Sequence, residues 1–107
     1  MNHPLVTIGV ALYNDEKHVR RTLDGILAQG YQNLEILVSD DCSQDGTADI
    51  CREYQQKDSR ITFMSQRRNL GSLANHELLF NLSSGEYFMW CNGHDSFSPN
   101  YVESCVR

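Results

Sequence analysis

An apolar segment that ends in two acids constrains this chain more than any other feature. Leu34 to Val38 is apolar, Asp40 and Asp41 follow it almost at once, and a helix-like stretch opens at Thr47. Ligands of open α/β sheets bind beyond the carboxyl ends of the strands, so this junction is a candidate site. No basic residue lies nearby in the sequence, so the negative charge of the two adjacent acids has to be offset by a cation or by a ligand rich in hydrogen-bond donors. Alternatively, Asp41 and Ser43 only form a turn and cap the helix.

The same strand-then-helix pattern repeats along the chain. Short apolar, β-branched or aromatic runs predict strands at residues 5–12, 34–38, 61–65 and 86–91. Predicted helices follow them: one capped by Asn14 or Asp15 that runs to about Gln29, two at residues 47–57 and 72–82, and one opening at Pro99. The expected fold class is α/β, a doubly wound, mostly parallel sheet with helices on both faces. Right-handed crossovers would bring three polar strand ends to one crevice, namely Tyr13-Asn14, Asp40-Asp41 and Asn92 to Asp95.

Composition narrows the class of protein. With 107 residues, 40% of them hydrophobic and 21% charged, the chain is expected to form one globular domain spanning residues 1–107. The net charge of −5 argues against a nucleic-acid partner. The four cysteines form no C-x-x-C pair, which predicts reduced thiols and a cytoplasmic location, although two disulfides are also compatible. No apolar run approaches the roughly 20 residues of a membrane span, and the start lacks signal-peptide features.

Four motifs stand at the predicted strand boundaries. They are Tyr13-Asn14-Asp15-Glu16, Asp40-Asp41-Cys42-Ser43-Gln44-Asp45-Gly46-Thr47, Asn69-Leu70-Gly71 and Gly85-Glu86-Tyr87. In this order they resemble the nucleotide-binding half of a glycosyltransferase of family 2, which has the GT-A fold. The second motif is the most specific, and the set covers nearly the whole chain. The resemblance implies transfer of a sugar from a nucleotide-diphospho-sugar, a UDP-sugar first of all, to a saccharide or lipid-linked acceptor. An acceptor of the latter kind would place the cytoplasmic protein at the periphery of the membrane.

The resemblance also implies roles for individual residues. Tyr13 would stack on the nucleobase, Asp41 would accept a hydrogen bond from a ring N–H of the base, and Asp40 would mainly hold its loop. Arg67 and Arg68 either clamp a phosphate or belong to a solvated basic loop. The implied nucleotide-binding residues are Tyr13, Asn14, Asp40, Asp41, Asn69, Gly71 and Arg68. Four residues of the second motif are expected to be structural: Ser43, Asp45, Gly46 and Thr47. Ser43 or Asp45 would bond backbone N–H groups, and Gly46 would permit the tight turn. The core is expected to contain Phe88 and Trp90, with His76 on the surface or in packing.

The end of the fourth strand departs from the family pattern. Asn92-Gly93-His94-Asp95 replaces the usual Asp-x-Asp-Asp, in which the third position holds a divalent metal. His94 and Asp95 are therefore the implied metal ligands, for Mn²⁺ or Mg²⁺; an imidazole suits magnesium poorly. The alternatives are a polar loop that caps the helix at Pro99, and a non-catalytic nucleotide-binding or oligomerisation module.

Length is the second departure from the family. Members of the family continue for at least as long again, through an acceptor-binding half that carries the general base. No catalytic residue is therefore assigned, and the chain is expected to be a truncated domain that binds its donor without useful turnover. Surface left uncovered in such a domain tends to find partners, so a homo-oligomer is expected.

Overall fold

The computed structural model describes residues 3–92 and 99–106, and Asn92 by its backbone alone. Four strands and four helices alternate along this part of the chain: β1 (Val6–Leu12), α1 (Val19–Leu27), β2 (Leu34–Asp40), α2 (Thr47–Lys57), β3 (Ile61–Ser65), α3 (Ser72–Leu82), β4 (Tyr87–Asn92) and α4 (Tyr101–Val106). The strands form one sheet in the order β3-β2-β1-β4, and each neighbouring pair is parallel. This is the strand order of one half of a doubly wound fold, so the predicted fold class is confirmed.

The two faces of the sheet are covered by different helices. Ile8 and Val10 of β1 lie in the main hydrophobic core, together with residues of α1, α2 and α4. The opposite face carries α3, whose Leu79 lies 3.4 Å from where a Cβ on Gly9 would stand. A side chain at Gly9 would also come within 2.6 Å of the Phe88 ring, so glycine lets this second layer pack closely.

The boundaries of two elements differ from the prediction. α1 was expected to start after Asn14 or Asp15, but it begins only at Val19. The carbonyl of Asp15 accepts hydrogen bonds from the N–H groups of His18 and Val19, both at 2.9 Å, which makes a turn before the helix. β2 extends past Val38 because Asp40 pairs with both neighbouring strands. The first of the two acids therefore belongs to the strand.

The prediction that Trp90 belongs to the core was wrong. Its side chain is 47% exposed, whereas that of Phe88 is partly buried. Among residues 3–92 and 99–106, β4 is the last strand of the sheet on its side, and α3 packs chiefly on β1 and β2. The face of β4 that carries Trp90 is therefore only partly covered by the described residues.

All four cysteines are free in the structure. Burial raises the pKa of Cys51 to about 12, so this thiol stays protonated and unreactive at neutral pH. Within residues 3–92 and 99–106, no helix combines the length and apolar character needed to cross a membrane.

Candidate functional site

The carboxyl ends of three neighbouring strands form the candidate site. Leu12 at the end of β1 pairs with Asp40 at the end of β2, and Ala11 pairs with Asn92 at the end of β4. The loops that follow these strands therefore leave the same edge of the sheet, as predicted. The predicted metal ligands His94 and Asp95 lie outside the described residues.

The loops after β1 and β2 are joined by reciprocal hydrogen bonds. The N–H of Asn14 donates to the Ser43 hydroxyl at 2.7 Å, and the Asn14 side-chain oxygen accepts from the N–H of Gln44 at 2.9 Å. Asn14 adopts a φ of 51°, a left-handed conformation that asparagine tolerates better than most residues. Asn14, a predicted nucleotide-binding residue, therefore links the two loops through both its backbone and its side chain.

A second pair of bonds strengthens the same junction. The Asp45 carboxylate accepts from the N–H of Glu16 at 3.3 Å, and the Glu16 carboxylate accepts from the N–H of Gly46 at 3.0 Å. Gly46 has a φ of −81°, a conformation that other residues also adopt, so a left-handed backbone is not the reason for glycine here. A Cβ there would lie 3.0 Å from the Glu16 carboxylate, so the absence of a side chain is what makes room for Glu16.

Asp45 lies two residues before helix α2 and bonds its first residue. Its carboxylate accepts from the N–H of Thr47 at 3.0 Å and from the Thr47 hydroxyl at 2.5 Å, the predicted backbone contact. Slight burial raises the pKa of Asp45, but the hydrogen bonds from Thr47 and from the N–H of Glu16 together outweigh it and hold the pKa below its ordinary value. A carboxylate with a lowered pKa stabilises the fold at neutral pH, and this contribution is lost as the pH falls through that pKa.

Asp40 holds the loop that follows β2, in agreement with the sequence analysis. Its side chain is 1% exposed, and its carboxylate accepts from the N–H of Ser43 at 3.0 Å and from the Ser43 hydroxyl. Cys42 lies inside this small ring with a φ of 63°. Non-glycine residues rarely adopt this conformation, so the bonds from Ser43 hold the backbone in it.

Asp41 contacts a different loop. Its carboxylate, 4% exposed, accepts from the N–H of Leu70 at 2.6 Å and from the N–H of Gly71 at 3.0 Å. The alternative that Asp41 and Ser43 cap α2 is therefore wrong, because Asp45 bonds the first turn of that helix. Both acids of the pair are instead offset by N–H donors of nearby loops.

The loop between β3 and α3 depends on Gly71. Its φ of 92° strains any residue with a Cβ, even though the space around it is open. The N–H of Gly71 is shared between Asp41 and the side-chain oxygen of Asn69, which accepts it at 3.0 Å. The predicted residues Asn69 and Gly71 are thus brought to Asp41, while Arg68 is exposed on the same loop.

Tyr13 stands at the end of β1 with its side chain 48% exposed. Its N–H donates to the Asp15 carboxylate at 2.9 Å, which holds the backbone at the start of the loop. The ring therefore presents an aromatic face to solvent beside the loop of the two acids.

Two buried polar residues beside the site were missed. Asn75 of α3 is 2% exposed and Ser39 of β2 is fully buried, and the two are hydrogen-bonded to each other. Asn75 lies one helical turn before Leu79, which is also buried. A polar residue on the apolar face of a helix was the signal available in the sequence.

Solved structures of similar fold include a mannosyltransferase and S. aureus TarS. A mannosyltransferase from Pyrobaculum calidifontis, in complex with GDP-Man and Mn²⁺, superposes with a TM-score of 0.91 and 22% identity; the match covers 99% of this chain and 32% of that one. S. aureus TarS in complex with UDP superposes with a TM-score of 0.87 and 22% identity, over 95% of this chain and 31% of that one. At this level of identity the likeness establishes the fold.

The sequence is also similar to longer proteins. It is 36% identical over 102 residues to glycosyltransferase GlyA of Streptococcus pneumoniae serotype 4, covering 95% of this chain and 14% of GlyA. It is 34% identical over 105 residues to an uncharacterized glycosyltransferase of Haemophilus influenzae, covering 98% of this chain and 32% of that protein. The chain thus spans a third or less of the length of these relatives. The model of glycosyl transferase family 2 matches residues 7–107, and the chain therefore belongs to that family.

Proposed function

We propose that this chain is the donor-binding domain of a glycosyltransferase and binds a nucleotide-diphospho-sugar, most readily a UDP-sugar. The observation that carries the proposal is Asp41, a carboxylate at the carboxyl end of β2 held by the N–H groups of Leu70 and Gly71. An ionised carboxylate offers about four lone-pair sites. Two backbone donors therefore leave Asp41 the capacity to accept a further hydrogen bond from a ring N–H of the nucleobase.

The similar structures support this class of ligand. The mannosyltransferase complex contains GDP-Man and the TarS complexes contain UDP and UDP-GlcNAc, so each ligand is a nucleoside diphosphate or a nucleoside diphosphate sugar. Uracil and guanine both carry a ring N–H that can donate a hydrogen bond to a carboxylate. In our proposal Tyr13 stacks on the base, because its exposed ring stands beside the loop of Asp41.

The other predicted residues complete the proposed donor site. Asn69, Gly71 and Arg68 lie on the loop that Asp41 holds, and the Arg68 guanidinium suits a phosphate oxygen. Asn14 and Asp40 act by holding the two loops after β1 and β2 in place. The sugar would pass to a hydroxyl of a saccharide or lipid-linked acceptor. We place this chemistry in the cytoplasm, at the membrane periphery where the acceptor is lipid-linked, and the free cysteines support that location.

A divalent metal, Mn²⁺ or Mg²⁺, forms part of the proposal. The described residues contain no group of three His, Cys, Asp or Glu side chains placed to hold an ion, and both Asp40 and Asp41 already accept backbone N–H bonds. The proposed ligands are His94 and Asp95, the positions that the family resemblance implies for the metal. A bound metal would offset the charge that develops on the leaving nucleoside diphosphate.

Titration calorimetry of the chain with UDP, with and without Mn²⁺, tests this function. We expect UDP to bind and Mn²⁺ to strengthen the binding at least about tenfold, because the ion offsets the diphosphate charge. The variants His94→Ala and Asp95→Ala should lose the metal effect while keeping the metal-free affinity. Absence of binding by UDP and by GDP in both conditions would refute the proposal. Metal-independent binding would favour the non-catalytic module, an alternative that the glycosyltransferase names of the relatives do not favour.

The proposed homo-oligomer has a candidate surface on β4 and α3. The rings of His76, Phe80, Phe88 and Trp90 form what we call the aromatic surface, with centroids 4.9 Å apart for His76–Trp90, 4.5 Å for Phe88–Trp90 and 5.3 Å for Phe80–Phe88. Phe80 is 56% and Trp90 47% exposed, and β4 has no strand beyond it among the described residues. Exposed apolar groups beside an unpaired strand edge favour association.

Light scattering after size-exclusion chromatography measures this association. We expect the wild-type chain to be at least a dimer, and Trp90→Glu to weaken association at least about tenfold by placing a charge in the contact. Tyr101→Glu is the matched control, since Tyr101 is 41% exposed on α4, which contributes to the core on the opposite face of the sheet. A wild-type monomer at high concentration would contradict the proposed oligomer.

A further inference from the structure

A buried polar network lies directly behind the candidate site. The Asn75 side-chain N–H₂ donates to the Ser39 carbonyl at 3.2 Å, and the Asn75 side-chain oxygen accepts from the Ser39 hydroxyl at 2.5 Å. The side-chain N–H₂ of Gln66 donates to the same hydroxyl at 3.1 Å. No buried side-chain nitrogen or oxygen of the described residues lacks a hydrogen-bond partner, so this network is satisfied throughout.

The network joins the three segments that build the Asp41 contact. Ser39 is separated from Asp41 only by Asp40, at the end of β2. Gln66 begins the loop after β3, and its N–H donates to the Asp40 carbonyl at 2.9 Å. Asn75 lies in the first turn of α3, where its N–H donates to the Gly71 carbonyl at 3.0 Å. The acid and the loop that donates to it are therefore both anchored to Asn75.

The geometry makes a purely apolar packing role for Asn75 a poor explanation. A leucine would fill a position one turn before Leu79 without the cost of burying an amide. An amide bonded to both the hydroxyl and the carbonyl of one residue fixes the helix against the strand in one register. Fully satisfied buried networks of this kind rigidify the structure around them.

We infer that Asn75 is a positioning residue of the donor site. It holds α3 and the loop of residues 66–71 so that the N–H groups of Leu70 and Gly71 reach the Asp41 carboxylate. The effect of Asn75 on nucleotide binding rests on the proposed function. The effect of Asn75 on the loop of residues 66–71 follows from the hydrogen-bond network alone.

Removal of the amide tests the inference through two separate measurements. In Asn75→Ala we expect UDP affinity to fall about tenfold, because both hydrogen bonds that anchor α3 and its preceding loop to Ser39 are lost. We also expect the amide protons of Leu70 and Gly71 to exchange with solvent at least about tenfold faster than in the wild type. Ser39→Ala removes only the hydroxyl and should give a smaller change in both measurements. It also replaces Asn75→Ala if that variant does not fold.

Thr7→Val is the matched control for a general loss of stability. Thr7 is a fully buried residue of β1 whose hydroxyl donates to Glu35 at 2.7 Å and accepts from the N–H of Gly85 at 2.9 Å. This network crosses the amino end of the sheet, away from the candidate site. Thr7→Val should lower the midpoint of thermal unfolding as Asn75→Ala does, but leave UDP affinity and the exchange of Leu70 and Gly71 unchanged.

A double variant separates positioning from direct contact with the ligand. If Asn75 acts through Asp41, then Asn75→Ala should weaken UDP binding much less in an Asp41→Asn background than in the wild type. Equal losses in both backgrounds would overturn the inference, as would unchanged exchange of Leu70 and Gly71 in Asn75→Ala. Failure of the wild type to bind UDP would instead refute the proposed function, and the exchange rates would then decide whether Asn75 holds the loop.

Discussion

The Asp41→Ala variant is expected to lose at least about a hundredfold in UDP affinity. Two effects act in the same direction. The substitution removes the carboxylate that we propose accepts a hydrogen bond from the nucleobase. It also leaves the N–H of Leu70 without its acceptor and the N–H of Gly71 with the Asn69 side-chain oxygen alone. Titration calorimetry with UDP in the presence of Mn²⁺ measures the loss, and circular dichroism checks that the variant is folded.

Asp58→Ala is the control for removing a hydrogen-bonded aspartate that lies outside the candidate site. Hydrogen bonds from the Arg60 side chain and backbone hold the pKa of Asp58 below its ordinary value, so this carboxylate is also paired. Asp58 follows α2 at the amino end of β3, away from the carboxyl ends of the strands. Its removal should leave UDP affinity unchanged. Wild-type affinity in Asp41→Ala would show that the base is recognised elsewhere.

Gly85→Ala is expected to lower the free energy of unfolding by about 3 kcal/mol. A Cβ at Gly85 would stand 2.6 Å from the Thr7 hydroxyl, 2.7 Å from the Thr7 nitrogen and 2.9 Å from the Leu5 carbonyl oxygen. Two of these atoms are backbone, so a change of rotamer cannot relieve the contact. Either β1 or the start of β4 has to shift, and chemical denaturation measures the cost.

Gly30→Ala is the matched control for Gly85→Ala. Among the described residues, the only atom within 4 Å of its Cβ would be the Pro99 carbonyl oxygen at 3.8 Å, an ordinary van der Waals distance. The substitution should therefore change the free energy of unfolding by less than about 1 kcal/mol. Similar losses in the two variants would show that the approach of Gly85 to β1 is not what makes glycine necessary there.

Most of the architecture could be predicted from local pattern. Apolar runs such as Leu34 to Val38, separated by helical stretches and turn residues, predicted the strands, the helices and the parallel sheet. Parallel strands end at one edge, so the meeting of Tyr13 and Asn14 with Asp40 and Asp41 followed from the order of the elements. The family resemblance rested on the motifs at these ends, and the family match over residues 7–107 confirmed it.

The partners of individual side chains were decided by tertiary structure. The sequence pattern allowed Asp41 to cap the following helix, but the N–H groups that it meets are those of Leu70 and Gly71, on a loop distant in sequence. Asn75 and Ser39 are likewise far apart along the chain, and only the packing of α3 on β2 brings them together. Hydrophobic periodicity specifies which face of an element is buried, whereas the acceptor of each hydrogen bond depends on which backbone groups other elements leave unpaired.

Tertiary structure also determined which side chains are exposed at the edge of the sheet. The aromatic residues of β4 predicted a core strand, yet Trp90 is 47% exposed, because no strand of the described part of the chain lies beyond β4. The chain by itself therefore determined which segments form strands and helices and where their polar ends meet. The three-dimensional packing determined which donors satisfy each carboxylate and which apolar side chains stay uncovered, because both depend on contacts between segments remote in sequence.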